Sequence, residues 1–446
     1  MKKFLMLVLT LLLSMTMVFG VSGCNVTTDP GDNGGEVPPE ENPDATVFLE
    51  VGTLTGQFER NLMQEWINKF QQANKEVSIT ISRTFQGMSE LIDMKNMGVL
   101  PDIVWTGGDQ HSNYSGSGYF YDLSDETLFP GSAEFFSDFY PTLIETTHYS
   151  DDDDGIWFVP RDYNRLVVYI NKTAFEALGI EIPSNNWTWE DFESICEQMS
   201  GQVRRPLEWR VWPPLYTTML YNFGGRYFDE NGQPALDSEQ TEDCFNYLKD
   251  FLDKYTVTGN GGTFKSYNVD MVGSSVPMII DVRPQLSEYM TAAYNGGWEL
   301  EAVAFPNFVQ EDGSAGYTAA GCSGYAITTE CTDATEREWA WKFLQYCMSQ
   351  QGYEDVGSLG NIVPALQSLA NTGSWTEYTY GGMSVSYEAF MDTNTNDIFL
   401  NYYNSIDVGK HDSTKLEVSM FWDRVLTYSY SDAISTFNTN INDILS

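Results

Sequence analysis

The sequence predicts an α/β protein of two lobes. Strand-like and helix-like patterns alternate through the first part of the body, and the same rhythm restarts after the acidic run Asp151 to Asp154. About 400 residues remain for this body once the N-terminal segments are set aside, enough for two separate cores.

Those N-terminal segments come first. Met1-Lys2-Lys3 is a short basic start, and Phe4 to Phe19 is almost wholly apolar. Val21-Ser22-Gly23-Cys24 follows at once. An apolar run this short, with small residues just before a cysteine, reads as an export signal rather than a spanning helix. The four residues resemble the lipobox of bacterial lipoproteins, which implies lipidation of Cys24 as the new N-terminus and an anchor on the extracellular face of the cell membrane. Residues 1–23 are thus the signal peptide. Residues 24–45 are rich in Pro, Gly, Asn and acid with almost nothing apolar, so they are expected to stay a flexible tether. The body starts near Thr46.

Thr46 to Val51 alternates as a strand. Glu59 to Gln72 sets Leu62, Trp66 and Phe70 four apart, with Met63 and Ile67 beside them, so one helical face is apolar. Val77 to Arg83 alternates again, Met88 to Met97 is helical in pattern, and Pro101-Asp102-Ile103-Val104-Trp105 opens a third strand. Past Asp154, Phe158 to Pro160 and Leu166 to Ile170 read as extended. Thr188 with Asp191 offers a capping box for a helix through Phe192, Ile195 and Met199. Cys244, Leu248, Leu252 and Tyr255 share a helical face; Val276 to Val282 and Gly324 to Thr328 are strands. Asp333 caps a helix bearing Trp339, Phe343 and Cys347, and the last third is helical with aromatic punctuation. Trp66, Trp339 and Trp341 fall in helical patterns and read as core.

The formal charge is −40, from 23 Lys and Arg against 63 Asp and Glu. A surface of that sign repels polyanions, which excludes nucleic acid as a partner. Setting Cys24 aside leaves Cys196, Cys244, Cys322, Cys331 and Cys347, an odd number with no CxxC pair, which argues against a disulfide framework and against zinc. One bridge, Cys322 to Cys331, stays open beside buried free thiols. Asp151 to Asp154 lacks the spaced donors of a calcium loop and reads as solvated. No metal or cofactor is expected. The three histidines, His111, His148 and His411, form no ligand-like spacing, and there is no GxSxG elbow or Walker loop. A two-carboxylate hydrolase is not excluded by inspection.

Six pieces, in order, resemble the family 1 extracellular solute-binding proteins, the maltose-binding-protein-like class. They are Pro101 to Trp105; Gly155 to Pro160 followed by Val168 to Lys172; Trp187-Thr188-Trp189-Glu190-Asp191-Phe192; Asn222 to Gly225 with Phe228 to Gly232; Gly321 to Ile327 followed by Trp339 to Phe343; and Ile362 to Ala365. The resemblance implies a two-lobed periplasmic-binding-protein-like fold of type II, with hinge-linked lobes around a central cleft. It implies crossover strands near 157–160 and 316–321, a first lobe of 46–157 plus 319–360, and a second of 158–318 plus 361–446. It also implies a monomer without enzymatic activity, which captures a carbohydrate by lobe closure and delivers it to the permease of an ABC importer. One departure stands out: where many members carry Gly then Trp, this chain has Asp281-Val282-Arg283-Pro284.

The resemblance places at the cleft Trp105, Thr106 and Asp109; Arg161, Asp162, Tyr163 and Asn164; Trp212, Tyr216 and Tyr221; Asp281 and Arg283; and Gly321, Ser323 and Gly324. Sugars need flat aromatic platforms for their C–H faces and paired amide, carboxylate and guanidinium groups for their hydroxyls, and these residue types supply both. Each has a plainer reading. Trp105 and Trp212 suit core packing, Arg161 and Asp162 a surface pair, and the glycines a turn. A cationic or peptide ligand, a glycan-binding surface lipoprotein and a secreted hydrolase stand as alternatives.

Overall fold

The computed structural model describes residues 37–446 except 41, 151, 204–205, 210–211, 257–276, 358–361, 371, 373–376, 392–394, 400–405, 407 and 428. The signal peptide, Cys24 and the first part of the tether lie outside the described residues.

Its strands are β1 (Val47–Leu54), β2 (Val77–Phe85), β3 (Ile103–Gly107), β4 (Val159–Pro160), β5 (Asn164–Asn171), β6 (Leu207–Glu208), β7 (Met278–Val282), β8 (Leu300–Ala304), β9 (Tyr317–Gly321), β10 (Ser323–Ile327), β11 (Glu377–Tyr380), β12 (Met383–Ser386) and β13 (Asn396–Ile398). One sheet has the order β2-β1-β3-β10-β4, with β1, β2 and β3 parallel and β10 antiparallel to β3 and β4. The other runs β13-β9-β5-β7-β6, and β8 shares an edge of β5 with β9. The chain passes from the first sheet to the second between Pro160 and Asn164, and returns between Gly321 and Ser323. These crossovers are the hinge.

The patterns in the sequence form for identifiable reasons. Helix Gln57–Ala73 buries Leu62, Met63, Trp66, Ile67 and Phe70 on the stripe their spacing defines, and the Trp66 indole donates to the Gly352 carbonyl at 2.7 Å. The Thr188–Asp191 capping box is present: Thr188 Oγ1 accepts from the Asp191 amide at 3.2 Å, and Asp191 Oδ2 accepts from the Thr188 amide at 2.9 Å. Asp333 accepts from the amides of Thr335 and Glu336 at the next predicted cap, and these bonds hold its carboxyl below the usual range. β5 is a continuous apolar run because both its faces are covered. Leu166, Val168 and Ile170 face a core shared with helices Trp189–Ser200, Pro213–Asn222 and Glu239–Tyr255. Val167 and Tyr169 face helix Leu286–Gly296 and the segment carrying Tyr387 and Phe390.

Two features depart from the sequence expectation. Val37 to Asn42, inside the expected flexible tether, is bonded along helix Gln57–Ala73. Its attachments are amide hydrogen bonds, which a reading of apolar content cannot detect. Ile362 to Leu369 packs with the first sheet's core, bonded to Asp138 and Phe139, rather than with the second lobe to which sequence order assigned it. Helices His411–Thr427 and Tyr430–Leu445 share a core with Leu166, Val168 and Ile170 of β5, through Val418, Phe421, Trp422 and Phe437.

Candidate ligand-binding cleft

Where the chain crosses from the first sheet to the second, Arg161 is the centre of a buried network. Its Nη1 donates to Glu59 Oε2 at 2.5 Å and its Nη2 to Glu59 Oε1 at 3.1 Å, a two-pronged contact with the first turn of helix Gln57–Ala73. Nη2 also meets Asp162 Oδ2 at 2.7 Å and Ser323 Oγ at 2.6 Å. Burial alone would push the guanidinium toward losing its proton, but Glu59 and Asp162 hold its pKa well above the ordinary value. Asp162 is equally enclosed: Oδ1 accepts from the Ser323 amide at 2.8 Å and from Asn164 Nδ2 at 3.0 Å. The Tyr353 hydroxyl donates to the Arg161 carbonyl at 2.5 Å. Arg161 and Asp162 are therefore a buried cross-hinge network, 4% and 3% exposed, and not a surface pair.

A second ion pair backs the first. Arg165 Nε stands 2.8 Å from Asp397 Oδ1, and the Tyr163 hydroxyl donates to the same carboxylate. Tyr163 stacks at a tilt on Tyr140, 5.1 Å between ring centres, so its own face is covered.

Backbone pairing brings several of the expected residues beside one another. Ser323 lies opposite Gly107, Gly324 opposite Thr106 and Tyr325 opposite Trp105, while Asn164 pairs with Gly321. The Gly108 amide donates to the Cys322 carbonyl at 2.9 Å, fixing the loop that carries Asp109. Trp105 and Thr106 are buried, whereas Asp109, Asn164, Gly321 and Ser323 are half-buried. A Cβ on Gly321 would meet open space; one on Gly324 would stand 2.1 Å from the Val159 carbonyl oxygen.

The opposite wall differs from expectation. Trp212 caps the start of helix Pro213–Asn222 and is half-buried. Tyr216 is fully buried, stacked on Trp422 at 4.5 Å and 18°. Tyr221 lies at the far end of the same helix, about 13 Å from Trp212 along its axis, with the Arg226 guanidinium 4.1 Å over its ring. Asp281 is buried and accepts from the Tyr289 hydroxyl at 2.8 Å and the Val282 amide at 2.9 Å. Arg283 is also buried, donating to the Tyr387 hydroxyl with its guanidinium 4.7 Å over that ring. Tyr216 and Arg283 are thus taken up by packing against Trp422 and Tyr387, from C-terminal segments whose placement the sequence does not announce, while Tyr221 and Asp281 meet partners close to them in the chain.

Those segments also bring unexpected groups to the gap. Lys415 Nζ donates to the Asp109 carbonyl at 2.7 Å, His411 Nδ1 lies 2.9 Å from Ser112 Oγ, and Asn113 Nδ2 donates to Asp412 at 3.1 Å. Helix His411–Thr427 of the second lobe therefore touches the loop after β3 of the first. Beneath that loop, His111 Nε2 faces the Thr146 carbonyl and Nδ1 the Ser115 hydroxyl, both at 2.9 Å, and burial lowers its pKa to about 3.

Residues 65–380 match the family described as bacterial extracellular solute-binding protein. The chain belongs to that family. Among named relatives, the arabinooligosaccharide-binding protein of Halalkalibacterium halodurans is 27% identical over 103 residues, 22% of this chain and 23% of that relative. The multiple sugar-binding protein of Streptococcus mutans is 20% identical over 325 residues, 66% of this chain and 70% of the relative. In three dimensions this solute-binding protein is similar to an ABC substrate-binding protein from Listeria monocytogenes in complex with cycloalternan. The TM-score is 0.67 at 13% identity, covering 89% of this chain and 98% of that one. The two-lobed, type II fold read from the sequence motifs is the fold of these neighbours.

Two remaining sequence questions are answered by position. Cys196, Cys244, Cys322, Cys331 and Cys347 are all free and buried in this solute-binding protein, so no Cys322–Cys331 bridge forms. Burial raises the Cys322 thiol to about 12. In the acidic loop, Asp153 is not simply solvated: Oδ2 accepts from the Trp157 indole at 2.8 Å and the Tyr149 amide at 2.9 Å, bracing the approach to the hinge.

Proposed function

We propose that this protein is a lipid-anchored extracellular carrier of carbohydrate. It takes an oligosaccharide between its lobes and presents the closed form to an ABC importer without altering the ligand. What supports this reading is the way the chain passes twice between its two sheets. Two sheets are joined by short crossovers at 160–164 and 321–323, and Asp109, Asn164, Ser323 and Trp212, the expected cleft residues that stay half-buried, supply carboxylate, amide, hydroxyl and one indole. Such a set satisfies hydroxyl groups and offers one flat apolar platform. The relatives named for sugars support the ligand class, and the lipobox-like Val21 to Cys24 supports the anchor. Ligand that contacts both lobes favours the form in which they meet, so binding shifts the population toward closure.

The test is calorimetry on the body from Thr46 against a panel of neutral oligosaccharides, with spermidine and a short cationic peptide as further arms. Saturable heat with one sugar and recovery of that sugar intact is the expected result. Binding of spermidine or peptide alone would replace the ligand class, and release of a cleaved product would make the protein a hydrolase. Fatty-acid labelling of the exported chain, lost on Cys24→Ala, tests the anchor.

A further inference from the structure

Helix Gln57–Ala73 carries carboxamides at positions 61, 68, 71 and 72, a spacing that sets them along one face. Asn61, Asn68 and Gln71 are 3%, 6% and 3% exposed, and what covers them is the N-terminal segment. The Val37 amide donates to Asn61 Oδ1 at 3.1 Å. Asn68 does the work of a peptide group, accepting from the Glu40 amide at 3.0 Å and donating to the Pro38 carbonyl at 2.9 Å. Gln71 Nε2 donates to the Glu40 carbonyl at 3.1 Å, and Gln72 Nε2 to the Glu40 carboxylate at 2.9 Å. Asn42 closes the row on the Val77 carbonyl at 2.6 Å.

The direction of this strap matters. Glu59, one turn into the helix, bonds to Arg161 at the hinge crossover, so the helix starts at the cleft and runs away from it. Val37 meets the helix at Asn61, beside that start; Asn42 meets the chain near Asn74 and Val77, at the far end. The strap therefore carries the exit of the N-terminal leash from the back of the first lobe, where β1 begins, to its cleft side. From Asn61 to Asn74 this is about 20 Å along the helix.

We infer that the carboxamide row is an orienting dock, which holds the cleft side of the first lobe toward the membrane. This rests on the proposed lipid anchor at Cys24. Docking also shortens the leash: the stretch from Cys24 to Val37 reaches at most ~45 Å, against ~75 Å from Cys24 to Thr46. A shorter leash raises the local concentration of the cleft at the bilayer.

The chain from Cys24 to Ser446 is coupled through its Cys24 thiol to a maleimide lipid in phosphatidylcholine vesicles; its other cysteines are buried. A donor dye is placed at Thr55, exposed at the cleft end of β1, or at Lys75, exposed at the far end, with acceptor dye in the bilayer. Stronger transfer from Thr55 than from Lys75 is expected. The difference should vanish in Asn68→Ala, and in Glu40→Pro, which removes the docked amide without touching the helix. Deuterium exchange at Val37 and Glu40 should quicken on the order of tenfold or more in Asn68→Ala. Equal transfer from both positions in the parent overturns the inference, as does a difference that survives both variants. Because the lipid is attached chemically, these outcomes do not depend on whether cells lipidate Cys24. Fatty-acid labelling reports on that separately.

Discussion

Lys415 reaches across the gap between the lobes and donates to the Asp109 carbonyl at 2.7 Å. Its ammonium also lies 3.5 Å from Asp412 on its own helix, so the side chain is held in place on one lobe and bonded to the other. A contact that exists only when the lobes meet stabilises the closed form against the open one. Lys415→Ala is expected to weaken ligand binding about fivefold, equivalent to ~1 kcal/mol for one half-exposed charged hydrogen bond. Small-angle scattering should show a larger radius for the ligand-free variant. Unchanged affinity with unchanged radius would mean that the contact persists through opening.

The Arg161 network makes a different demand. Removing the guanidinium strands Glu59 and Asp162 together at the hinge crossover with no cation to offset them. Loss of one member of such a buried set costs about 3–5 kcal/mol. Arg161→Met should show that loss in urea unfolding of the lobes, and the double variant Arg161→Met with Glu59→Gln should recover part of it. A double variant no more stable than the single one would argue against charge as the cause.

His111 gives the pH dependence a sign. Burial first, then the nearby Lys415, His411 and His148, lower its folded pKa to about 3 from an unfolded value near 6.5. The unfolded chain thus binds the proton more readily. His111 contributes stability that is complete above pH ~6.5 and is lost progressively as pH falls toward 3. Between pH 6.5 and 4 the loss from this one group is roughly 3 kcal/mol. His111→Gln should flatten the urea midpoint over that interval relative to the parent. Parallel curves for the two proteins would show that His111 is protonated in the folded state well above pH 3.

Tyr216 and Trp212 share a helix start and looked alike in sequence. Tyr216→Ala removes a ring stacked on Trp422 and should cost about 3–5 kcal/mol of stability. Trp212 is only half-buried against the same core, so Trp212→Ala should cost less stability than Tyr216→Ala and reduce sugar affinity on the order of tenfold, the scale of one lost aromatic platform. Calorimetry and urea unfolding of both variants separate the roles. A binding loss confined to Tyr216→Ala would reverse the assignment.

What could be read from the sequence follows from the range of the forces involved. Caps such as Thr188–Asp191 and apolar stripes such as Leu62–Trp66–Phe70 are local, so spacing exposes them. The hinge residues Arg161 to Asn164 and Gly321 to Gly324 were found together through motifs, yet their partners were not. Glu59 lies 102 residues from Arg161, and Asp397 is 234 from Tyr163; nothing in either neighbourhood marks the pairing. Arg283 illustrates the same limit. Its place just after β7 is plain in the sequence, but its burial under Tyr387, 104 residues on, depends on a segment whose path no periodicity reveals. Asn61 and Asn68 are buried by a segment that holds them through hydrogen bonds alone, which no apolar spacing marks.

The two glycines that flank Cys322 and Ser323 test how tightly the crossovers are made. Gly324 faces the backbone of β4, where an added Cβ would stand 2.1 Å from the Val159 oxygen and 2.8 Å from the Phe158 ring. The first of these is main chain held in the sheet by the β10–β4 pairing, so it cannot swing aside as a side-chain tip could. Relief requires the two strands to part, which also draws Ser323 away from Arg161. Gly324→Ala is therefore expected to lower stability by about 3 kcal/mol, within the upper range for single substitutions, and to loosen the hinge. At Gly321, with nothing within 4 Å of the added carbon, Gly321→Ala should fold like the parent. Its new methyl would point into the gap, so any change it makes should appear in ligand affinity. Equal destabilisation by the two substitutions would show that the crossover cannot tolerate a side chain at either place, and would remove the distinction between a packed and an open glycine.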